Sequence, residues 1–386
     1  MAFTRSPSPA RQSVSESYRL LYRITVADQV VVGHSVLKVQ RIFQKGALMG
    51  LQLAMLFSLG CLSAVCQQSL QRFTFTSPHM GTLFTITLYA TNKIFAETAA
   101  DAAFHRVAAL DEIMSDYRAD SELMQLCDQP FGKPVPISKD LFDVLTRSQK
   151  ISKLTDGAFD VTIGPCVRLW RFSRKRKTLP TTQELAAARA AVGWKHLRLD
   201  PHARTATLLL PNMRLDLGGI GKGFAADEAL RVLKGRGIDR ALVAASGDIA
   251  IGDPPPGEPG WKVGISGIDV ETNDTAHALA LHNCGISTSG DTEQFVEING
   301  VRFSHIVDPA TCLGLTNRIQ DTIIAPNATT TDGLDTALSV MDVQRGLELV
   351  DSLPDAAALF QKRGQGHIDK FPSREFKKRF PSFSPN

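Results

Sequence analysis

Between residues 196 and 325 the chain passes through a series of short strand-like runs, and a single helical pattern at 222–234 interrupts them. The runs fall at 196–199, 205–210, 213–217, 240–245, 261–265, 277–283, 293–298, 301–307 and 320–325. Parallel neighbours need a long crossover, usually a helix, whereas consecutive strands without one pair antiparallel. The pattern therefore excludes a doubly wound parallel sheet and predicts an α+β fold with largely antiparallel sheets and packed helices. A strand is expected at 81–90, rich in Thr, Phe, Ile and Leu. Ala103, Val107, Leu110 and Met114 recur at helical spacing within 94–117, and Leu141, Val144, Leu145, Ile151 and Leu154 do so within 139–154. Further helical patterns lie at 184–191, 332–341 and 344–353.

With 386 residues and 43% apolar side chains, the chain has material for one large domain or two. A net charge of +4 does not point to nucleic acid, and no nucleic-acid-binding motif accompanies it. Residues 46–71 hold no charged side chain and follow Lys38, Arg41 and Lys45, the pattern of a signal peptide or membrane anchor. The expected organisation is a disordered or untranslated extension at 1–45, a targeting segment at 46–72, a catalytic domain at 73–370 and a loose basic tail at 371–386. That places the protein outside the cytoplasm, on the periplasmic side of a bacterial inner membrane, with lipidation of Cys61 or Cys66 left open. No pair among the six cysteines has CxxC spacing, so a structural zinc site is not expected. Cys127, Cys166, Cys284 and Cys312 read as small buried residues, with one disulfide open to an exported protein. The basic run at 171–177 reads as a solvated loop, or else as a contact for phosphate or a partner.

The strongest local motif is 216–227, DLGGIGKGFAAD, where a strand-like run enters a glycine cluster and a helix follows. Glycines permit close backbone approach, and the amides at a helix start attract phosphate, with Lys222 adding charge. A P-loop needs Ser or Thr where Gly223 stands, and the spacing of Gly219, Gly221 and Gly223 does not match a dinucleotide fingerprint. Asp332 and Thr336 lie four apart and share a face if helical, a carboxylate–hydroxyl pair suited to a hard cation, although Asp332 also suits a helix cap. The stretch 156–165 with Trp170 and Phe172 offers aromatics beside a glycine-rich loop. Ser246-Gly247-Asp248, echoed at 289–291, reads as a turn.

Taken together and in order, these residues resemble the ApbE family, the FAD:protein FMN transferases. The resemblance is carried by Met80-Gly81-Thr82, by Met114-Ser115-x-Tyr117 with Ser121-Glu122-Leu123, by the Gly-x-Phe-Asp-Val-Thr-x-Gly-Pro segment and by 216–227. It continues through Ser246-Gly247-Asp248, residues 286–291, His305-x-x-Asp308-Pro309 and the Asp332/Thr336 pair. It implies FAD contacts at Met80, Tyr117, Ala158, Phe159, Asp160, Asp216, Lys222 and Ile306. It also implies Mg2+ held by Asp332, Thr336 and the Gly219 carbonyl. The implied activity is transfer of FMN from FAD to a Thr or Ser hydroxyl of an acceptor, a membrane redox subunit by the resemblance, with release of AMP. The enzyme itself would be tethered to the inner membrane by its N-terminal anchor. His305, with Asp308 as the alternative, is the candidate base, and Lys222 shares the phosphate charge. An Mg-dependent FAD pyrophosphatase and a non-catalytic FAD-binding lipoprotein are the rival expectations. Two departures stand out. Cys312 occupies a place usually held by Gly, and Thr331, Gly333 and Asp335 replace alanines in the helix motif. Of these, Gly333 is expected to weaken the helix by about 1 kcal/mol, and Asp335 to add a carboxylate beside the metal.

Overall fold

The computed structural model describes residues 69–265, 277–290, 294–364 and 367–383. The expected N-terminal extension and nearly all of the targeting segment lie outside these residues. So does Asp291. Gln71 and Arg72, grouped above with the targeting segment, instead begin the first strand.

The chain opens on a hairpin of β1 (Gln71–His79) and β2 (Thr82–Ala90). Met80 and Gly81 close it at φ 49° and 71°, the positive-φ pair that matches the right-handed twist of two strands. A helical stretch follows: α1 (Lys93–Met114), α2 (Glu122–Cys127), the short β3 (Val135–Pro136), α3 (Lys139–Leu154), α4 (Gly164–Arg176) and α5 (Thr182–Arg189). After β4 (Leu197–Asp200) and β5 (Thr205–Leu208) comes α6 (Gly221–Gly235). The strand series continues with β6 (Ala241–Ala245), β7 (Asp248–Ile251), β8 (Trp261–Ile265), β9 (His277–Leu281) and β10 (Cys284–Ser289). It ends with β11 (Phe295–Ile298), β12 (Val301–Ser304) and β13 (Ile319–Ala325). The chain closes with α7 (Ala328–Val340), α8 (Val343–Ser352), β14 (Ala357–Arg363), β15 (Ile368–Pro372) and α9 (Arg374–Arg379).

Eight strands form one sheet in the order β1-β2-β6-β7-β10-β13-β14-β15, and every neighbouring pair is antiparallel. The α+β architecture expected from the strand series is thus observed. Period-two alternation sorts the side chains between two cores. Phe84, Ile86 and Leu88 of β2, Val243 of β6, Ile323 of β13 and Phe360 of β14 face the helical layer of α1, α6 and α7. Ile324, Leu359 and Ile286 face the other side, where the β8–β9 hairpin and α9 cover them. A third, smaller core joins α4 to the β11–β12 hairpin through Cys166, Trp170, Val296 and Phe303.

Several expectations are corrected. Residues 213–217 form no strand; Arg214 alone makes an isolated bridge with Ile163. The 171–177 run is not a loop but the last turns of α4, where cations oppose the negative helix end, and Lys177 ends it in a left-handed conformation. The 371–386 tail is not loose up to residue 383. Phe376 and Phe383 are buried against the second core, with the Phe376 and Phe380 rings 5.1 Å apart. Its basic residues masked an aromatic face. Gly333, expected only to weaken its helix, lets α3 and α7 close up: a Cβ there would lie 2.4 Å from Ile151 Cδ1.

Cys166 and Cys312 form a disulfide across 146 residues, whereas Cys127 and Cys284 stay free. Cys312 sits at φ 58°, in the region that favours glycine, which accounts for the glycine common at this place in the resembled family. The bond ties the loop after β12 to α4. Cys312→Ser is expected to lower unfolding stability by about 2–4 kcal/mol, read from denaturant midpoints under oxidising conditions. Equal midpoints would show that the link constrains nothing.

Candidate functional site

The start of α6 lies against α7 so closely that only glycine fits. A Cβ on Gly219 would stand 2.7 Å from Thr336 Oγ1, and one on Gly223 would stand 2.2 Å from the Ala328 carbonyl oxygen. The contact brings the glycine cluster onto the helix face that carries Asp332 and Thr336, and the Gly223 N–H donates to Asp332 Oδ2 at 2.7 Å. Asp227, one helical turn further on, accepts from the backbone N–H groups of Ala328 and Thr329 at 2.9 and 2.8 Å and so orients the first turn of α7.

Lys222 reaches inward from α6 to Asp248 Oδ2 at 2.6 Å and Asp332 Oδ1 at 3.5 Å. Asp248, Asp332 and Asp335 are all buried and present one oxygen each within 4.8 Å of one another. Burial alone would depress the Lys222 ammonium, but Asp248 and Asp332 hold it above the usual lysine range. Burial and the Asp248 charge push Asp332 up to about 7. Burial, with Asp248, Asp332 and Asp321 adding, drives Asp335 well above the carboxylate range. Three carboxylates against one ammonium leave uncompensated negative charge in a buried place, which is unfavourable unless a cation joins them. The donors are all oxygens, from three carboxylates and Thr336, with the Gly219 backbone alongside. That set fits a hard divalent cation such as Mg2+. Asp332 and Thr336 both lie in α7, four residues apart, with Thr336 against Gly219 and Asp332 against Gly223. Asp248, a turn residue by its sequence, joins them because β7 runs beside β10 in the sheet, a pairing that local sequence does not reveal.

A second group lies on the same loop, three residues before Gly219. Asp216 accepts from the Gly218 N–H at 2.8 Å and pairs with Arg171 at 3.0 Å. Arg171 also binds Asp116, and its guanidinium stands over the Tyr117 ring at 4.3 Å. Burial, with the Asp116 charge, pushes Asp216 up to about 6. Tyr117 is 79% exposed, so one ring face rests on an anchored cation and the rest is open for stacking.

Asp160 is placed differently from an open ligand contact. Its Oδ1 accepts from the Thr162 N–H and hydroxyl, and its Oδ2 accepts from the Trp194 N–H at 2.9 Å. Phe159 is buried in the main core. Both residues hold the 157–163 loop in shape, and Ala158 is its half-buried tip. Met80 is half-buried at the β1–β2 turn. His305 and Ile306 are half-buried in the loop after β12, where the His305 N–H and Nδ1 both approach the Gln294 carbonyl, at 3.1 and 3.3 Å. Asp308 Oδ1 accepts from the Ala310 N–H and Oδ2 from the Thr311 hydroxyl, so its carboxylate shapes its own turn. This loop is fixed to α4 by the disulfide and by the Trp170 indole N–H, which donates to the Ser304 carbonyl at 3.0 Å. Helix α4 therefore carries Arg171 and anchors the His305 loop.

A family model described as the ApbE family matches residues 80–360. The FAD:protein FMN transferase of Salmonella typhimurium is 34% identical over 293 residues, covering 74% of this chain and 83% of that protein. The one from Vibrio cholerae is 31% identical over 323 residues, covering 82% and 95%. Among solved structures, the flavin transferase ApbE from Vibrio cholerae superposes with a TM-score of 0.74 at 28% identity, covering 81% of this chain and all (100%) of that one.

In the metal-free protein the buried acids set a pH dependence. Asp332 titrates near 7 when folded and in the ordinary carboxylate range when unfolded, so the folded state binds more protons between those values. Its contribution is full at acid pH and is lost as pH rises through about 7. Melting in chelator from about pH 5 to about pH 8 should show this loss, and Asp332→Asn should flatten it. A wild-type curve that rises over the window would refute the assignment.

Proposed function

The chain belongs to the ApbE family, and we propose that it acts as an FAD:protein FMN transferase, moving the FMN moiety of FAD onto a threonine or serine hydroxyl of an acceptor protein with Mg2+ as cofactor. The observation that carries this reading is the buried carboxylate cluster of Asp248, Asp332 and Asp335, with half-buried Thr336 on the same helix against Gly219 and Lys222 paired to two of the acids.

The divalent cation, when bound, supplies charge to offset the pyrophosphate and the departing AMP. Asp332 and Thr336 hold it together with the Gly219 carbonyl, and Asp248 and Asp335 complete the anionic surroundings. Lys222 is locked in position by two carboxylates and lends its charge to the phosphates without having to reorganise. Tyr117 offers its open face to one of the flat rings of FAD, and Arg171 stiffens that platform. In the transfer, an oxygen of the acceptor hydroxyl forms a bond to the FMN phosphorus as the bond to the AMP oxygen breaks. The hydroxyl proton goes to His305. Asp308 is the weaker choice because both its oxygens shape a turn. Action outside the cytoplasm, on an acceptor such as a membrane redox subunit, is part of the proposal. The Cys166–Cys312 disulfide supports an oxidising compartment. Among the described residues no helix is long and apolar enough to cross a membrane.

Two outcomes test the proposal. The full chain incubated with FAD, Mg2+ and a Thr-containing acceptor domain should add one FMN to the acceptor by mass spectrometry. Asp332→Ala or Thr336→Ala should slow this by a hundredfold or more, on the order of the several kcal/mol a metal contributes. FMN and AMP in solution without an adduct would mean a pyrophosphatase, and intact FAD would mean a binding protein. His305→Ala should retain FAD binding and lose roughly 10²–10⁴ in transfer rate; an unchanged rate would remove His305 from the proton transfer.

A further inference from the structure

A groove of about 530 Å³, open to solvent, lies between α3 and the β4 segment, bordered by neither the acid cluster nor the Asp216–Tyr117 group. Its α3 wall is the stripe of Phe142, Thr146, Gln149, Lys150 and Lys153, a different stripe from Leu141, Val144, Leu145 and Ile151, which face the main core. Phe142, Leu197, Leu199 and Leu209 make it apolar, and Trp194 borders it. A volume of this size lies within the usual range for small-molecule sites.

Its charge is one-sided. Lys150, Lys153, Lys195 and Arg198 line it, and no Asp or Glu does. Among the described residues none of the four is in an ion pair; Lys195 instead stands over the Trp194 ring at 5.4 Å. Asp200, the nearest acid in sequence to Arg198, accepts the N–H groups of His202 and Ala203 on one carboxylate oxygen and lies close enough to feel the Arg198 charge, without an ion pair between them. On the α3 wall the Gln149 side-chain NH2 donates to the carbonyls of Trp194 and Leu197 at 2.8 and 3.0 Å, which ties α3 to the Trp194 segment.

We propose that this groove is a binding site for an anionic amphipath, a small molecule with a hydrocarbon body and a carboxylate or phosphate head. The body lies on Phe142 and the leucines, where burial removes apolar surface from water. The head meets the four cations. Trp194 links this place to the 157–163 loop, because its N–H holds Asp160 and its indole Nε1 lies 3.1 Å from where a Gly157 Cβ would stand. The site exists whether or not the flavin reading holds.

Titration calorimetry of the full chain with decanoate, decyl phosphate and neutral decyl glucoside tests it. Saturable binding of at least one anionic probe is expected, weakened about tenfold or more by Lys150→Glu with Lys195→Glu. A control pair at exposed positions, Lys234→Glu with Lys377→Glu, makes the same charge change and should leave binding intact. A preference for decyl phosphate or decanoate identifies the head group. The absence of saturable heat, equal binding of the glucoside, or equal loss in the control pair would overturn the proposal.

Discussion

The close approach of the α6 start to α7 is the constraint on which the site depends. Two glycines without side chains let a backbone segment lie against Thr336 and the Ala328 carbonyl. Any larger residue at Gly223 would push apart the helices that bring Lys222 to Asp332. Overpacking of this kind typically costs about 1–3 kcal/mol, and here it would also separate Lys222 from its buried carboxylates. The same proximity explains why Asp227 caps a helix about a hundred residues away: once α6 and α7 touch, its carboxylate lies at the exposed amides of α7.

The buried charges stay in place through mutual restraint. Lys222 would lose its proton if buried alone, and the acids would stay protonated. Together they share charge, yet the acids outnumber the lysine. The imbalance makes the pocket a poor resting place without a cation and a strong one with it. Such arrangements trade fold stability for binding, a pattern common where function demands it.

Much of the fold was legible in the sequence. The run of strands with a single interrupting helix announced an antiparallel sheet, and α3 spans the residues that its apolar spacing marked. The pair Asp332 and Thr336 could be found because helical spacing is local. Asp248 could not, since its place depends on strand pairing between β7 and β10. The Cys166–Cys312 bond joins residues that nothing in their spacing relates. The α9 helix was hidden because basic residues outnumber the phenylalanines that bury it. The four cations of the α3 groove come from two segments, each unremarkable alone, and only the fold sets them around one space.

The order of the site along the chain has a consequence for biosynthesis. Gly219 and Lys222 are made only past the midpoint of the chain, Asp248 next, and Asp332 to Thr336 in the last fifth or so. Sheet partners follow the same rule: β2 waits for β6, and β10 waits for β13. Non-local pairing of this kind folds slowly. A nascent chain therefore carries no complete oxygen cluster until synthesis is nearly finished. Completion of the carboxylate cluster and the final closing of the sheet become late, coincident events, so a partly made chain keeps Lys222 and its acidic partners apart until its last strands and helices arrive.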